Sequence, residues 1–143
     1  MLFRSDQSMS TYALDTNIIS YLLKGDKAIV NQYHQAGKKG SDFVLPPIVY
    51  YEVKRWFLET GATDKKIAFD KLCEVIPLGE LTQEILDNSA AIYVKMRKAG
   101  KPMGDADIII AAFCLVNNYT LVTNNTRHFE GIDGLKLVNW KIM

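Results

Sequence analysis

The sequence is poor in the features that mark disulfide-stabilised, secreted and membrane-spanning proteins. Among its 143 residues are two cysteines, Cys73 and Cys114, which lie far apart in apolar segments. This placement favours buried free thiols in a reducing cytoplasm over a disulfide, redox or zinc pair. The longest apolar run, residues 108–116, is far shorter than a membrane-spanning helix, and the amino-terminal segment lacks the apolar core of a signal peptide. We therefore expect a cytoplasmic protein that has no membrane association.

An excess of charge of either sign is also missing. The chain has 17 Lys and Arg against 16 Asp and Glu, which gives a formal net charge of +1. This balance excludes an overall basic coat for nucleic-acid binding but not a local basic patch. With 48% hydrophobic and 23% charged residues, the composition is that of a globular protein able to form a core without a structural metal.

The pattern along the chain predicts a single α/β domain over residues 1–143, with a loose lead-in over residues 1–10. Short β-prone runs alternate with segments of helical periodicity, which is typical of a parallel sheet with helices on both faces. Strands are predicted at residues 12–14, 43–45, 75–78, 120–123 and 136–138. Helices are predicted at residues 17–24, 27–36, 47–60, 63–73, 83–99 and 106–117. Thr82 and Gly100 are expected to flank the longest helix at its two ends.

Several acidic residues stand where burial disfavours a charge. Asp15 directly follows the first predicted strand, at the carboxyl edge where open α/β sheets assemble their sites. Glu52 lies among apolar neighbours in the helix after the second strand. Asp107 opens a helix that is apolar on all sides and is therefore expected to be buried. Asp105 lies two residues earlier and is favoured as the N-cap of that helix.

In a doubly wound sheet these acids can converge on one edge. Clustered carboxylates in a partly dry cleft repel one another unless a cation neutralises them. Because the ligands are oxygen atoms, with no convergent His or Cys, Mg²⁺ or Mn²⁺ is favoured over zinc. The candidate metal ligands are Asp15, Glu52 and Asp107, with Asp105 as an additional candidate.

Each of these acids also has an ordinary structural explanation that the sequence leaves open. Asp15 could form an Asx-turn with Asn17. Glu52 could pair with a neighbouring or distant base, and Asp107 could be a first-turn acid that favours the helix dipole. For Asp105 the capping role is the preferred explanation.

Small polar residues follow another buried strand, at residues 123–125. Thr123 and Asn125 are candidates to hold a carboxylate or a metal-bound water at the same sheet edge. A turn that leads into the next helix is an equally good explanation, and the two do not exclude each other.

A basic cluster precedes the corner at Gly104 and Asp105. It consists of Lys95, Arg97, Lys98 and Lys101. These side chains could contact RNA phosphates beside the acids, although a solvated helix face is the more ordinary explanation. The aromatic residues Tyr50, Tyr51 and Trp56 could stack on bases, although core packing is the preferred explanation for Trp56.

Five pieces of sequence occur in an order shared with one known family. They are residues 14–17 (LDTN), Glu52 in its helix, and residues 107–112 (DIIIAA), 121–125 (LVTNN) and 134–140 (GLKLVNW). Together they span about residues 12 to 140, and they resemble the PIN-domain ribonucleases, in particular toxins of the VapC type. The resemblance implies a PIN-like doubly wound sandwich with a central parallel sheet of about five strands.

The resemblance also implies an Mg²⁺- or Mn²⁺-dependent endoribonuclease. Asp15, Glu52 and Asp107 match the three core acids of the family and would be its catalytic and metal-binding residues, supported by Asn17, Thr123 and Asn125. Because Asn125 stands where some members carry a fourth acid, a single metal ion is expected, with Asp105 as a possible substitute ligand. The implied partners are an RNA (tRNA, rRNA or mRNA), a second copy of the chain in a homodimer, and the antitoxin of a type II toxin–antitoxin pair.

Two alternative functions belong to other classes of protein. A catalytically silent PIN-like module would bind RNA or protein without cleaving it. A phosphoacceptor switch domain would need an acid that ends the central strand and a Lys that ends the last one. Residues 75–78 supply no acid and Thr123 is not followed by Lys, so the switch is disfavoured.

Overall fold

The computed structural model describes residues 10–142, so the predicted lead-in lies outside the described residues except for Ser10. Within this range the strands are β1 (Thr11–Leu14), β2 (Asp42–Val44), β3 (Thr120–Val122) and β4 (Lys136–Val138). The helices are α1 (Thr16–Lys24), α2 (Lys27–Lys38), α3 (Pro47–Thr60), α4 (Thr63–Cys73), α5 (Gln83–Lys98), α6 (Asp105–Asn117) and α7 (Thr126–Phe129). A 3₁₀ turn, Trp140–Ile142, follows β4.

The sheet is entirely parallel, with the strand order β2-β1-β3-β4. Successive residues of a strand point to opposite faces of its sheet. Ala13 and Leu14 in β1 are both fully buried, and so are Leu121 and Val122 in β3. Both faces of the central strands are therefore covered, which confirms the predicted doubly wound α/β sandwich.

The prediction of about five strands was wrong, because the described chain forms four. Residues 75–78 do not form a strand, and only a single parallel bridge joins Leu78 to Leu45. Val75 lies in the turn that ends α4 and is 70% exposed. Pro77 has no N–H to donate to a ladder, although its carbonyl accepts a hydrogen bond from the Leu45 N–H at 2.9 Å.

The predicted helices are all present, and the longest of them has the ends that the sequence predicts. Thr82 Oγ1 accepts a hydrogen bond from the Ile85 N–H at 3.2 Å, which makes Thr82 the N-cap of α5. Gly100 follows Ala99 with a φ of +74°, a conformation that glycine adopts without strain. The sequence missed α7, which has only four residues and too little periodicity to mark a helix.

Helix α6 lies at the centre of the hydrophobic core. Its buried residues are Ile108, Ile110, Ala111, Ala112, Phe113 and Cys114. It packs against α5, α3 and β3. Both cysteines are free thiols, as the sequence predicted, but only Cys114 is buried, whereas Cys73 is half-buried. Between Ser10 and Ile142 no helix is long and apolar enough to cross a membrane.

We predict that Gly79→Ala destabilises the protein, because Gly79 lies directly against the Phe113 ring in the core. A Cβ at this position would overlap Phe113 Cζ and lie 2.5 Å from Cε1, so the ring or the loop must move. Overpacking of this kind costs about 1–3 kcal/mol in the free energy of unfolding, which urea denaturation measures.

Gly37→Ala is the matched control for this substitution. Its added Cβ would meet only Phe43 Cε2 at 3.9 Å, an ordinary contact, within helix α2. We expect it to leave stability unchanged or raise it by up to about 1 kcal/mol. Equal stability of the two variants would show that the loop at Gly79 adapts without cost.

Candidate active site

The candidate site lies where the strand order of the sheet reverses. From β1 the chain crosses to β2 on one side, while β3 and β4 lie on the other, so the switch point falls between β1 and β3. Leu14 pairs with Val122, and the residues that follow them, Asp15 and Thr123, therefore sit side by side at the carboxyl edge. Crevices at this point are where open α/β sheets bind ligands.

Asp15 is held by both its helix and the neighbouring strand. It is the N-cap of α1, and its Oδ1 accepts a hydrogen bond from the Thr16 N–H at 2.8 Å. Its Oδ2 accepts one from Thr123 Oγ1 at 2.7 Å and a longer one from Asn17 Nδ2 at 3.4 Å. Only 6% of Asp15 is exposed. The capping role therefore coexists with a buried carboxylate at the sheet edge.

Glu52 is linked to the same place through Thr16. Thr16 Oγ1 donates a hydrogen bond to Glu52 Oε1 at 2.7 Å, while the Thr16 backbone binds Asp15. The alternative in which Glu52 pairs with a base is not observed, since no ion pair within the described range involves it. Thr16, the first residue of α1, thus links the Asp15 carboxylate after β1 to the Glu52 carboxylate on α3.

Asp107 and Asp105 both lie in the first turn of α6, but their surroundings differ. The N-cap is Gly104, whose backbone is extended, and no side chain caps this end. The prediction that Asp105 caps the helix was therefore wrong, because Asp105 is already its first helical residue and is exposed. Asp107 is half-buried, and its Oδ2 lies 3.5 Å from His128 Nδ1.

The charges of Glu52 and Asp107 act on the carboxyl group of Asp15. Burial raises the pKa of the Asp15 carboxyl above its usual range, and the hydrogen bonds from Thr123 and Thr16 oppose this rise. The nearby charges of Asp107 and Glu52 raise the pKa further. Burial and the two neighbouring acids therefore all disfavour a negative charge on Asp15.

The donor chemistry of these acids fits a hard divalent cation. Carboxylate oxygens are the ligands that Mg²⁺ and Mn²⁺ prefer, and a bound cation would relieve the repulsion at Asp15. Across residues 10–142, no three His, Cys, Asp or Glu side chains are drawn together closely enough to enclose a metal. Glu52 is bonded to Thr16 and Asp107 approaches His128, so these two side chains would have to turn to share a cation.

The polar residues predicted around the acids form a network at the end of β3. Thr123 Oγ1 accepts hydrogen bonds from the Asn125 N–H at 3.0 Å and from Asn17 Nδ2 at 3.3 Å. Asn17 Oδ1 in turn accepts one from the Asn124 N–H at 3.0 Å. Asn17 and Thr123 thus contact Asp15 through their side chains, whereas Asn125 contributes its backbone to the turn.

The predicted basic cluster divides into groups with different surroundings. Lys95 pairs with Asp133 at 2.7 Å, and Arg97 donates to the Tyr93 hydroxyl at 2.9 Å, so both are engaged on the helix surface. Lys98 is exposed. Lys101 lines a cavity of about 370 Å³ that also contains Asp107.

Sequence reasoning missed two basic residues of that cavity, Arg127 and His128, which belong to α7. They follow the polar turn at residues 123–125 directly in sequence, and this position was the available signal. Lys101, Arg127 and His128 thus line the same cavity as Asp107, and the His128 ring is in contact with its carboxylate.

Comparison with known proteins identifies the family of the chain. The family model of the PIN domain matches residues 12–135. The chain is 28% identical to Ribonuclease VapC1 of Haemophilus influenzae strain R2866 over 130 residues, which cover 90% of this chain and 97% of the relative. It is 25% identical to the tRNA(fMet)-specific endonuclease VapC of Shigella flexneri, over 92% of this chain and 99% of the relative.

A solved structure supports the same relationship. The VapBC-1 structure of nontypeable Haemophilus influenzae contains a chain that superposes with a TM-score of 0.78 at 28% identity. The match covers 92% of this chain and 98% of that chain.

The burial of Asp15 predicts that Asp15→Asn stabilises the fold. Because its pKa is raised, the charged carboxylate costs folding free energy at pH values above the unfolded pKa of about 3.9. This cost grows as pH rises through the folded pKa and is absent below about pH 4. Asp15→Asn should therefore melt at a higher temperature than the parent at pH 7.5 in EDTA, with the difference shrinking towards pH 4.

The exposed Asp87 on α5 provides the control for this measurement. Asp87→Asn should leave the melting temperature close to that of the parent across the same pH range, because surface substitutions rarely exceed about 0.5 kcal/mol. A melting temperature for Asp15→Asn below that of the parent at pH 7.5 would mean that the hydrogen bonds to the carboxylate outweigh its burial.

Proposed function

Because this chain belongs to the PIN domain family, we propose that it is a divalent-metal-dependent endoribonuclease and the toxin of a type II toxin–antitoxin pair. The observation that supports catalysis most directly is the buried Asp15 carboxylate, which Thr16 connects to Glu52 and which Asp107 influences electrostatically. The similarity to proteins named ribonucleases supports the same assignment.

The reaction would be hydrolysis of an RNA phosphodiester bond. Asp15, Glu52 and Asp107 would hold the cation, which when bound lowers the pKa of a water molecule and offsets charge on the phosphate. The Asp15 carboxylate accepts hydrogen bonds from Thr16, Thr123 and Asn17. A carboxylate has about four lone-pair positions, so one remains for a further ligand such as a cation.

The other polar residues would position these acids rather than react. Thr123 donates to Asp15 and is itself fixed by the Asn125 backbone, so the carboxylate is held before substrate binds. Such fixed groups reduce the reorganisation that the reaction requires. Lys101 and Arg127, which share the cavity of Asp107, would contact phosphates of the RNA next to the cleaved bond.

The substrate and partners follow from the same assignment. A relative named as a tRNA(fMet)-specific endonuclease makes tRNA the first RNA to test. The likeness to a chain of a VapBC-1 structure supports an antitoxin partner for this protein. A homodimer in the cytoplasm completes the proposal, as the resemblance of the sequence implies.

We predict that Asp107→Asn lowers the rate of RNA cleavage in Mg²⁺ on the order of 10²-fold or more, and that Asp15→Asn does the same. Each substitution removes a negative oxygen from the proposed cation site. The measurement is cleavage of an end-labelled tRNA pool by purified variants, with Asp87→Asn as the control that keeps parental activity. If Asp107→Asn cleaves as fast as the parent, the observed nuclease activity does not belong to this site.

Metal binding can be tested without activity. We expect Mn²⁺ to raise the melting temperature of the parent in a concentration-dependent manner, since a ligand at 100 times its Kd stabilises by about 2.7 kcal/mol. Asp15→Asn and Asp107→Asn should lose most of this shift, while Asp87→Asn retains it. A parent protein that does not respond to Mn²⁺ or Mg²⁺ would favour a catalytically silent module.

A further inference from the structure

Trp56 does not pack in the core, contrary to the sequence prediction. It is 43% exposed, whereas Val49, Val53 and Phe57 of the same helix are buried. These three residues follow one another at intervals of four and form the buried stripe of α3. Trp56 precedes Phe57 by one residue and is rotated about 100° from it around the helix axis, which places its ring at the surface.

The exposed ring lies in the same cavity as the candidate catalytic acid of α3. Trp56, Glu52 and Thr16 all line a cavity of about 390 Å³ between α1, α3 and α4. Ile19 and Val53 contribute apolar surface to it. The volume falls within the range of about 300–1,000 Å³ typical of ligand pockets. An aromatic surface is therefore available within one cavity of the proposed reaction site.

The walls of this cavity carry a small excess of positive charge. Lys24, Arg55 and Lys65 line it, against the two acids Glu52 and Glu59. Lys65 Nζ lies over the Trp56 ring, 5.8 Å from its centroid, so this side chain must move aside before a base can stack on that face. A ligand that combines a flat ring with flanking negative charge would match both features, and a nucleotide within an RNA strand has this chemistry.

We propose that this cavity binds an unpaired nucleobase of the RNA, with Trp56 stacking against the base. Lys24, Arg55 and Lys65 would contact the phosphates on either side of it. The inference rests on the proposed ribonuclease function and extends it, because it assigns a base-binding position beside Glu52. Recognition of a splayed-out base would direct cleavage to single-stranded loops and ends of an RNA rather than to its helices.

An exposed apolar residue of α3 supplies a matched control. Leu58 is 87% exposed and lines a different cavity from the one that holds Glu52. A comparison of Trp56→Ala with Leu58→Ala therefore separates loss of the proposed base contact from loss of exposed apolar surface on the same helix.

The first experiment measures binding of a mixed-sequence single-stranded RNA ten-mer in EDTA, where cleavage cannot proceed. We expect Trp56→Ala to weaken binding by between about 5- and 150-fold, the range for one base stacked on an aromatic side chain. Trp56→Phe should restore most of the affinity, and Leu58→Ala should bind as the parent does. An abasic ten-mer of the same length should bind the parent and Trp56→Ala equally.

Trp56 also provides a direct spectroscopic signal. The other tryptophan, Trp140, is only 2% exposed, so quenching by iodide reports mainly on Trp56. The ten-mer should protect the fluorescence from iodide, and the abasic ten-mer should not. Equal protection by both RNAs would overturn the stacking assignment, because it would show that the backbone alone covers the ring.

The outcomes distinguish this inference from the function on which it rests. If the parent cleaves RNA in Mg²⁺ and Trp56→Ala cleaves with an unchanged KM and parental affinity, only the base-binding assignment falls. If the parent neither binds nor cleaves RNA, the ribonuclease proposal falls and this inference with it. If Trp56→Ala binds RNA normally but no longer binds the antitoxin protein, the cavity is a protein-binding surface and the inference is overturned.

Discussion

The arrangement of the site depends on one constraint, the burial of the Asp15 carboxylate at the end of the central strand. A charged group in this position must be bonded on every side that water cannot reach. Its donors come from near and far along the chain, since Thr16 and Asn17 follow it directly whereas Thr123 lies 108 positions later. The adjacency of β1 and β3 is therefore required by the chemistry of the site as well as by the packing of the sheet.

Much of the fold was predictable because it follows from local rules. Alternating strands and helices, the Thr82 cap and the apolar helix α6 each leave a clear pattern in the sequence. The fifth strand was predicted wrongly because the β-prone composition of residues 75–78 was given more weight than the missing N–H of Pro77, and the sequence does not show that the segment meets Leu45 through a single bridge. Strand pairing is a tertiary property, and the propensity of four residues does not determine it.

The candidate site shows a similar division. The acids were found because a charge after a buried strand or at the start of an apolar helix is conspicuous in sequence. The hydrogen bonds that link these acids were not predicted, because the one between Thr16 and Glu52 joins residues 36 positions apart. Trp56 was assigned to the core from its residue type, whereas its exposure depends on which stripe of α3 faces inward. Arg127 and His128 were missed because they reach the Asp107 cavity through the short helix α7.

The bond between Thr123 and Asp15 also bears on the order in which the protein is made. These residues are separated by 108 positions, so Thr123 leaves the ribosome well after Asp15. A growing chain that ends before β3 cannot bury Asp15 or supply its hydroxyl donor. A partly synthesised polypeptide that lacks β3 therefore has no assembled site, and the Asp15 carboxylate stays in water until the chain has been made through Thr123.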